Sequence, residues 1–349
     1  MTTGNPPLVT ALRALAAGDR LGEARTRAAF AQIMEGQGAP EQVAALLMGL
    51  RVQGETADEI AGVVRALRDA MIAVPVAERD HLIDTCGTGG GTVSTFNIST
   101  AAAFVAVGAG AVVAKHGNRS YTSRCGSADL LEALGVEITV AADLASRLLR
   151  DVGMAFLFAP AFHPATGCVT PVRRALGVPT LMNLVGPLAN PAGTARQIIG
   201  VWEVSRAPLV AEVLARLGAE HAMVVHARAG LDEISPAGLT DVWEVRDGRV
   251  HQWTVDPEEH GLDVADVGRL AGGDPPANAA RVERVLTQPS RDPAARAAVA
   301  LNAGAALYVA GVASSLAEGM ALAVAALEDG AGRRALDRLR GEAALSTSG

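Results

Sequence analysis

The sequence predicts an α/β protein, with a small N-terminal helical domain and a larger α/β domain built on a mostly parallel central sheet. Three observations lead there. Apolar residues recur at helical spacing from Pro7 to Met71, with no strand pattern among them. After Pro75 the texture changes to short β-branched runs that end in Gly-rich loops and are followed by helical stretches. The chain is 50% hydrophobic yet holds only six Phe, three Trp and two Tyr, so its core must be Ala, Val and Leu, a composition suited to helices packed closely on a parallel sheet. At 349 residues it also exceeds the roughly 250–300 at which single cores stop growing, which asks for a second domain.

In the first segment Val43, Leu46, Leu47 and Leu50, then Ile60, Val63, Val64 and Leu67, mark buried stripes. Breaks at Ala17-Gly18-Asp19, Gly36-Gln37-Gly38 and Gln53-Gly54-Glu55-Thr56 divide it into about four helices. Candidate strands follow at 81–84, 111–114, 154–158, 197–201 and 222–226. Their alternation with helices is the mark of βα units. Asp247-Gly248 between two apolar runs, 242–245 and 250–253, is the signal of a type I′ hairpin that adds an antiparallel edge. Residues 163–188 read as helix interrupted at Gly177-Val178-Pro179, and are expected to pack back on the N-terminal helices. From 278 to 339 the chain is again Ala-rich and helical. The expected division is 1–75, completed by about 163–188, as the helical domain, with 76–162 and 189–349 as the α/β domain.

A net charge of −7 supplies no basic stripe for a nucleic acid, so none is expected as a partner. Cys86, Cys125 and Cys168 lack C-x-x-C spacing, which suggests neither a disulfide framework nor a zinc site and fits a reducing, cytoplasmic setting. With no basic-then-apolar leader and no uninterrupted apolar run near 18 residues, neither processing nor a membrane is expected.

The strongest chemical signal is the run from Asp84 to Thr100, DTCGTGGGTVSTFNIST, between a strand and an Ala-rich helix. Its glycines admit a ligand close to the backbone, and the N–H groups at the helix start, 97–100, suit a phosphate. A plain tight turn with Asn97 or Ser99 as helix cap is the structural alternative. The next strand ends in KHGNRSYTSRCGS, placing Lys115, Arg119 and Arg124 at the carboxyl ends of neighbouring strands, where open α/β sheets bind ligands. Taken singly, Lys115 and Arg119 could equally pair with carboxylates, and Ser127 could be a helix cap. Asp232 and Glu233 lie in a loop at the same end of the sheet, and offer the hard oxygens that Mg²⁺ takes beside a diphosphate. Phe162-His163-Pro164 and Arg173-Arg174 precede Gly186-Pro187. One arginine in a partly apolar pocket can hold a carboxylate by a bidentate pair, and the residues alone leave open which. His163 reads equally well as a satisfied interior histidine.

These segments together resemble the anthranilate phosphoribosyltransferase family over nearly the whole chain. The likeness starts at Gly49-Leu50-Arg51, Gly54-Glu55-Thr56 and Glu59-Ile60-Ala61. It runs through GTGG, TFNIST, KHGNR, CGSADLLEALGV, FHPA, PVRRALG, NLVGPLANPAG and GLDEIS, and ends near Leu301-Asn302-Ala303. The resemblance implies transfer of phosphoribosyl from 5-phosphoribosyl 1-diphosphate to anthranilate in tryptophan biosynthesis, by a homodimer with two Mg²⁺ per subunit. It implies donor contacts at Gly87, Gly90, Gly91, Thr95, Asn97, Ile98, Ser99, Thr100, Lys115, His116, Gly117, Asn118, Arg119, Ser120, Tyr121, Thr122, Ser123 and Ser127. Anthranilate contacts would fall to Gly87, Asn118, His163, Arg173 and Pro187, metal ligation to Ser99, Asp232 and Glu233, and catalytic roles to Lys115, Asp232 and Glu233. One departure stands out: the family's commoner Asp-Gly after GTGG is Gly91-Thr92 here.

Two rival readings share the architecture. A pyrimidine nucleoside phosphorylase would show a lysine-histidine-serine-threonine run before paired glycines, which Asp84-Thr85-Cys86-Gly87 does not match. A non-catalytic nucleic-acid-binding paralogue would need neither the retained Asp232-Glu233 pair nor an acidic net charge.

Overall fold

The computed structural model describes residues 5–89, 93–120, 124–264 and 266–345. Four helices open the chain: α1 (Pro7–Ala16), α2 (Gly22–Met34), α3 (Pro40–Gln53) and α4 (Ala57–Ala70). Proline starts α1 and α3, where its missing N–H costs nothing. A reciprocal cap starts α4: the Thr56 hydroxyl accepts the Glu59 N–H at 3.2 Å and the Glu59 carboxylate accepts the Thr56 N–H at 2.9 Å.

The sheet has seven strands in the order β3-β2-β1-β4-β5-β6-β7. Its parallel part comprises β1 (Leu82–Gly87), β2 (Val112–Gly117), β3 (Met154–Phe158), β4 (Arg196–Gly200) and β5 (His221–Ala227). Antiparallel β6 (Thr240–Arg246) and β7 (Arg249–Val255) form the expected hairpin, with Asp247 and Gly248 at φ 52° and 71°, as a type I′ turn requires. Sequence reading ends β1 and β2 three residues early: both strands continue into Gly87 and Gly117, because a glycine that looks like loop still serves as a ladder residue.

Helices cover both faces. The connections contribute α5 (Ile98–Gly108), α6 (Ser127–Ala133), α7 (Ala142–Asp151), α8 (Ala159–Phe162), α9 (Thr170–Leu176), α10 (Met182–Leu188) and α11 (Ala207–Arg216). The carboxyl-terminal part adds α12 (Pro275–Thr287), α13 (Pro293–Ala310), α14 (Leu316–Glu328) and α15 (Ala331–Leu345). Alternation along the strands sorts the apolar residues into two cores. Ile198, Met223, Val225 and Val242 face a core with α5 and α12 to α15, whereas Ile199, Val224, Trp243 and Val245 face the other with α11. That second core runs on without a break into α1 to α4 and takes in Val169, Val172, Leu181 and Val185, so the 163–188 segment does pack on the N-terminal helices.

Glycine permits a close helix crossing. A Cβ on Gly319 would lie 2.2 Å from the Gly304 carbonyl, which brings α14 hard against α13.

Candidate active site

Because the strand order reverses direction between β1 and β4, the loops leaving these two strands part to opposite sides and open a crevice at their carboxyl ends. Gly87 ends β1 and Gly200 ends β4, and the two are ladder partners. Above them lies Asp232. A Cβ on Gly87 would meet the Asp232 carboxylate at 2.7 Å, and one on Gly200 would come within 1.7 Å of the Asp232 carbonyl oxygen. Two missing side chains therefore seat the acidic loop in the crevice. Sequence reading found Gly87 and the acids but missed Gly200, whose partner is far along the chain.

Lys115 is the chain's only lysine, every other one of its 30 cationic Lys and Arg residues being arginine. It is 2% exposed. Its ammonium donates to the Thr85 carbonyl at 2.5 Å and lies 3.5 Å from the Thr85 hydroxyl and 3.4 Å from that of Ser99. Burial lowers its pKa, while Asp84, Cys86 and Glu233 pull it back up. Glu233 accepts the Ser99 N–H at 3.1 Å. The start of α5, read from sequence as a phosphate seat, thus holds a carboxylate of the chain itself, which is the same helix-end attraction for an anion used internally.

Burial and the neighbouring Asp232 push the Glu233 carboxyl up to about 8, against the opposing pull of Lys115 and Ser99. Asp232 is raised by burial as well. Two buried carboxylates, Glu233 raised further by Asp232, with the Ser99 hydroxyl beside Glu233, fit a hard divalent cation. Hard carboxylate oxygens in that number suit Mg²⁺, which binds one or two carboxylates and completes its shell with water and substrate oxygens.

The second loop is held from within. A Cβ on Gly117 would strike the Ser127 hydroxyl at 2.3 Å, and that hydroxyl lies 3.4 Å from the Asn118 carbonyl. Asp129 accepts the N–H groups of Gly126 and Ser120 at 2.8 and 3.2 Å. The Arg119 guanidinium pairs with Asp129 and Glu132, at 3.0 and 2.5 Å. In the first loop the Asn97 amide donates to the Cys125 carbonyl at 3.0 Å and accepts from Asn278 at 3.0 Å. It ties the two loops together and does not cap α5.

Thr95 pairs through a backbone bridge with Ala271, and the Ile98 side chain is buried in the core. Thr100 keeps a buried hydroxyl without a partner. Gly90, Gly91, Tyr121, Thr122 and Ser123 lie outside the described residues.

On the other face, His116 and His163 are 7% and 6% exposed, with ring centroids 5.1 Å apart. Burial, with His163 adding to it, pushes His116 down to about 3, and burial lowers His163 too, so both rings are neutral. The Nε2 atom of each is buried without a partner, which suits a ligand's hydrogen-bonding group. Arg173 lies half-buried on α9, and Pro187 sits inside α10 with its carbonyl accepting the Gln197 amide at 2.9 Å. His116, expected as a donor contact, lies against His163, expected on the acceptor side, whereas Lys115 meets Ser99 of the loop expected for the donor.

Asn302, part of the family resemblance but given no role from sequence, supports the acidic loop. Its side chain clasps the Ile234 N–H and carbonyl at 3.0 and 2.9 Å and so fixes the backbone next to Glu233.

A helical bundle joined to an α/β part, with an acid pair and a buried lysine at the switch point, defines a glycosyl transferase. The helical bundle domain of that family matches residues 9–71 and its a/b domain residues 79–333. The chain belongs to the anthranilate phosphoribosyltransferase family. It is 50% identical over 309 residues to the anthranilate phosphoribosyltransferase of Laribacter hongkongensis, covering 88% of this chain and 90% of that one. To the enzyme of Rubrobacter xylanophilus it is 49% identical over 328 residues, 94% and 95% of the two chains.

The crystal structure of the Thermus thermophilus enzyme superposes with a TM-score of 0.90 at 42% identity, covering 95% of this chain and 99% of that one. The Saccharomyces cerevisiae enzyme in complex with PRPP and Mg superposes with a TM-score of 0.88 at 26% identity, covering 98% and 99%. Neither rival reading matches these relatives.

Proposed function

We propose that this chain transfers the phosphoribosyl group of 5-phosphoribosyl 1-diphosphate to the amine of anthranilate, releasing pyrophosphate, in tryptophan biosynthesis. The observation that carries the reading is the convergence of Lys115, Ser99, Asp232 and Glu233 in one crevice, with a neutral histidine pair on the opposite side of β2. The segments that follow β1 and β2 in sequence, 87–92 and 117–123, receive the diphosphate and ribose phosphate. Ser99, Asp232 and Glu233 would hold Mg²⁺, two ions in the family's pattern, and so would supply charge neutralisation to the departing diphosphate.

Lys115 adds a fixed positive charge where that negative charge grows, an effect strengthened by its burial. Arg173 grips the anthranilate carboxylate, while His163, Asn118, Gly87 and Pro187 shape the pocket around its ring. Anthranilate's aromatic amine is neutral at pH 7, so the protein's main task is to hold it in line behind the bond that breaks, and the proton leaves late to water or pyrophosphate. The 1–75 and 163–188 segments act as a helical domain that closes on the α/β domain and excludes water. The homodimer forms through that helical part, in the cytoplasm.

Loss of anthranilate fluorescence in the presence of the donor and Mg²⁺ tests the reading. Asp232→Ala/Glu233→Ala should abolish turnover. Arg173→Ala should raise the KM for anthranilate by roughly tenfold or more, as loss of a charged hydrogen-bonded pair does, with kcat changed less. Full activity in both variants would refute the assignment.

A further inference from the structure

The ladder between β1 and β2 stops at Leu82↔Val112 and Ile83↔Val113, and from Asp84 onward β1 pairs with β4. Past that point side chains join the two strands. Asp84 accepts the His116 N–H at 3.1 Å, Asn190 donates to the Ala114 carbonyl at 2.8 Å, and Lys115 donates to the Thr85 carbonyl at 2.5 Å. Asn190 also donates to the second Asp84 oxygen at 2.8 Å, and its own oxygen accepts the Ala192 N–H at 2.8 Å. Both residues are buried, Asp84 at 0% and Asn190 at 2% exposure.

A carboxylate inside a sheet is expensive, and burial pushes this one up to about 6 even with its partners in place. An ordinary ladder would have satisfied the same backbone groups without it. What the bridge adds is control of one peptide. The His116 N–H belongs to the bond joining Lys115 to His116, and successive strand side chains point to opposite faces. Lys115 reaches Ser99 on one face and His116 meets His163 on the other. Asn190 stands where the chain returns from α10, so the bridge also reports the position of the segment carrying Pro187.

We propose that Asp84 and Asn190 are positioning residues for both substrates at once, fixing the 115–116 peptide so that Lys115 is presented to the phosphoribosyl donor and His116 to the acceptor pocket. The inference rests on the function proposed above.

The test is a double-mutant cycle read by steady-state kinetics and by amide hydrogen exchange. Asn190→Asp sets two carboxylates face to face, and Asp84→Asn sets two amide donors face to face. The combined exchange restores one donor opposite one acceptor and leaves only Ala114 without its bond. Each single variant should raise the KM for donor and for anthranilate together and lower kcat, by roughly tenfold or more in kcat/KM, and the double variant should recover several-fold over Asn190→Asp. The His116 amide should exchange faster in Asn190→Asp, while the Val113 amide, bonded to the Gly153 carbonyl at 2.9 Å, stays protected. Glu244→Gln, at the opposite end of the sheet, serves as a control that lowers the melting temperature without moving either KM.

Should Asn190→Asp fail to fold, Asp84→Asn and Asn190→Ser carry the same comparison. Both KM values within about twofold of wild type in folded variants, unchanged exchange at His116, or a double variant worse than either single would overturn the proposal. Wild-type protein that consumes no anthranilate would instead refute the function, and exchange at His116 would then decide the bridge alone.

Discussion

Gly87 and Gly200 face each other across the β1–β4 ladder, and Asp232 rests on both, closer than a Cβ at either position could lie without something shifting. The two contacts differ in kind. At Gly200 the obstacle is the Asp232 backbone, which cannot turn aside, so Gly200→Ala must lift the acidic loop off the sheet. Overpacking of this sort costs about 1–3 kcal/mol. The displacement should cost on the order of 10²-fold in kcat/KM, since about 1 Å at a reacting centre suffices for that. At Gly87 the obstacle is the end of the carboxylate, which can rotate, so Gly87→Ala should melt near wild type and need more Mg²⁺ for half-maximal rate. Thermal melts and Mg²⁺ titrations compare the two, and equal activity in both variants would mean that the loop does not depend on the close approach.

Lys115 stands alone among arginines, and the reason is geometric. Its ammonium is a compact point charge with oxygen acceptors from Thr85 and Ser99 around it, in a space closed to water. A guanidinium is planar, broader and presents its donors in a fixed fork. Lys115→Arg should therefore lose activity by about 10²-fold or more, nearly as much as Lys115→Met, although the charge is kept. An arginine variant retaining a tenth or more of wild-type kcat would show that charge alone is what the position supplies.

How legible the molecule is from its sequence depends on how local each cause is. The four N-terminal helices, five parallel strands and Asp247-Gly248 hairpin follow from periodicity and turn chemistry within a few residues. The ends of β1 and β2 do not, because Gly87 and Gly117 carry no side chain to show that a strand continues. Arg119 looks like an anion ligand because its loop is rich in donors, and only the fold brings Asp129 and Glu132 to it. Asn97 looks like a cap, yet its amide is engaged by Asn278 across the core-facing side of the loop. Gly200 and Asn190 are the least legible. A glycine advertises room without saying for what, and Asn190 meets Asp84 across 106 positions of chain. What the sequence could have offered is the lone lysine, a compositional fact that singles out Lys115 before any fold is known.

Glu244 gives a pH dependence whose sign is fixed by its partners. Burial alone would raise its pKa, but hydrogen bonds from His221, Tyr308 and Trp253, at 2.7, 2.8 and 2.8 Å, hold it below the ordinary 4.5. A carboxyl depressed on folding stabilises the protein above its unfolded value and loses that contribution as the pH falls through its folded one. Wild type should therefore melt above Glu244→Gln at neutral pH, and the difference should shrink as the pH drops below about 4.5. A gap that stays constant down to acid would assign the stabilisation to packing instead.

Glu55 and Arg206 tie the turn before α4 to the segment just beyond Gly200, at 2.9 Å. The Glu55 side chain is 1% exposed and that of Arg206 18%, so the carboxylate depends on this one guanidinium for compensation. Removing one partner of a buried pair leaves an uncompensated charge, which costs about 3–5 kcal/mol, whereas replacing both with groups of similar volume is often close to neutral. Arg206→Ala should lower the melting temperature markedly, and Glu55→Gln/Arg206→Met should recover most of the loss. Since the pair joins a helical element to the edge of the crevice, Arg206→Ala should also raise the KM for anthranilate more than the double variant does. If the double variant proves as unstable as Arg206→Ala, the ion pair contributes directional attraction of its own beyond neutralising Glu55.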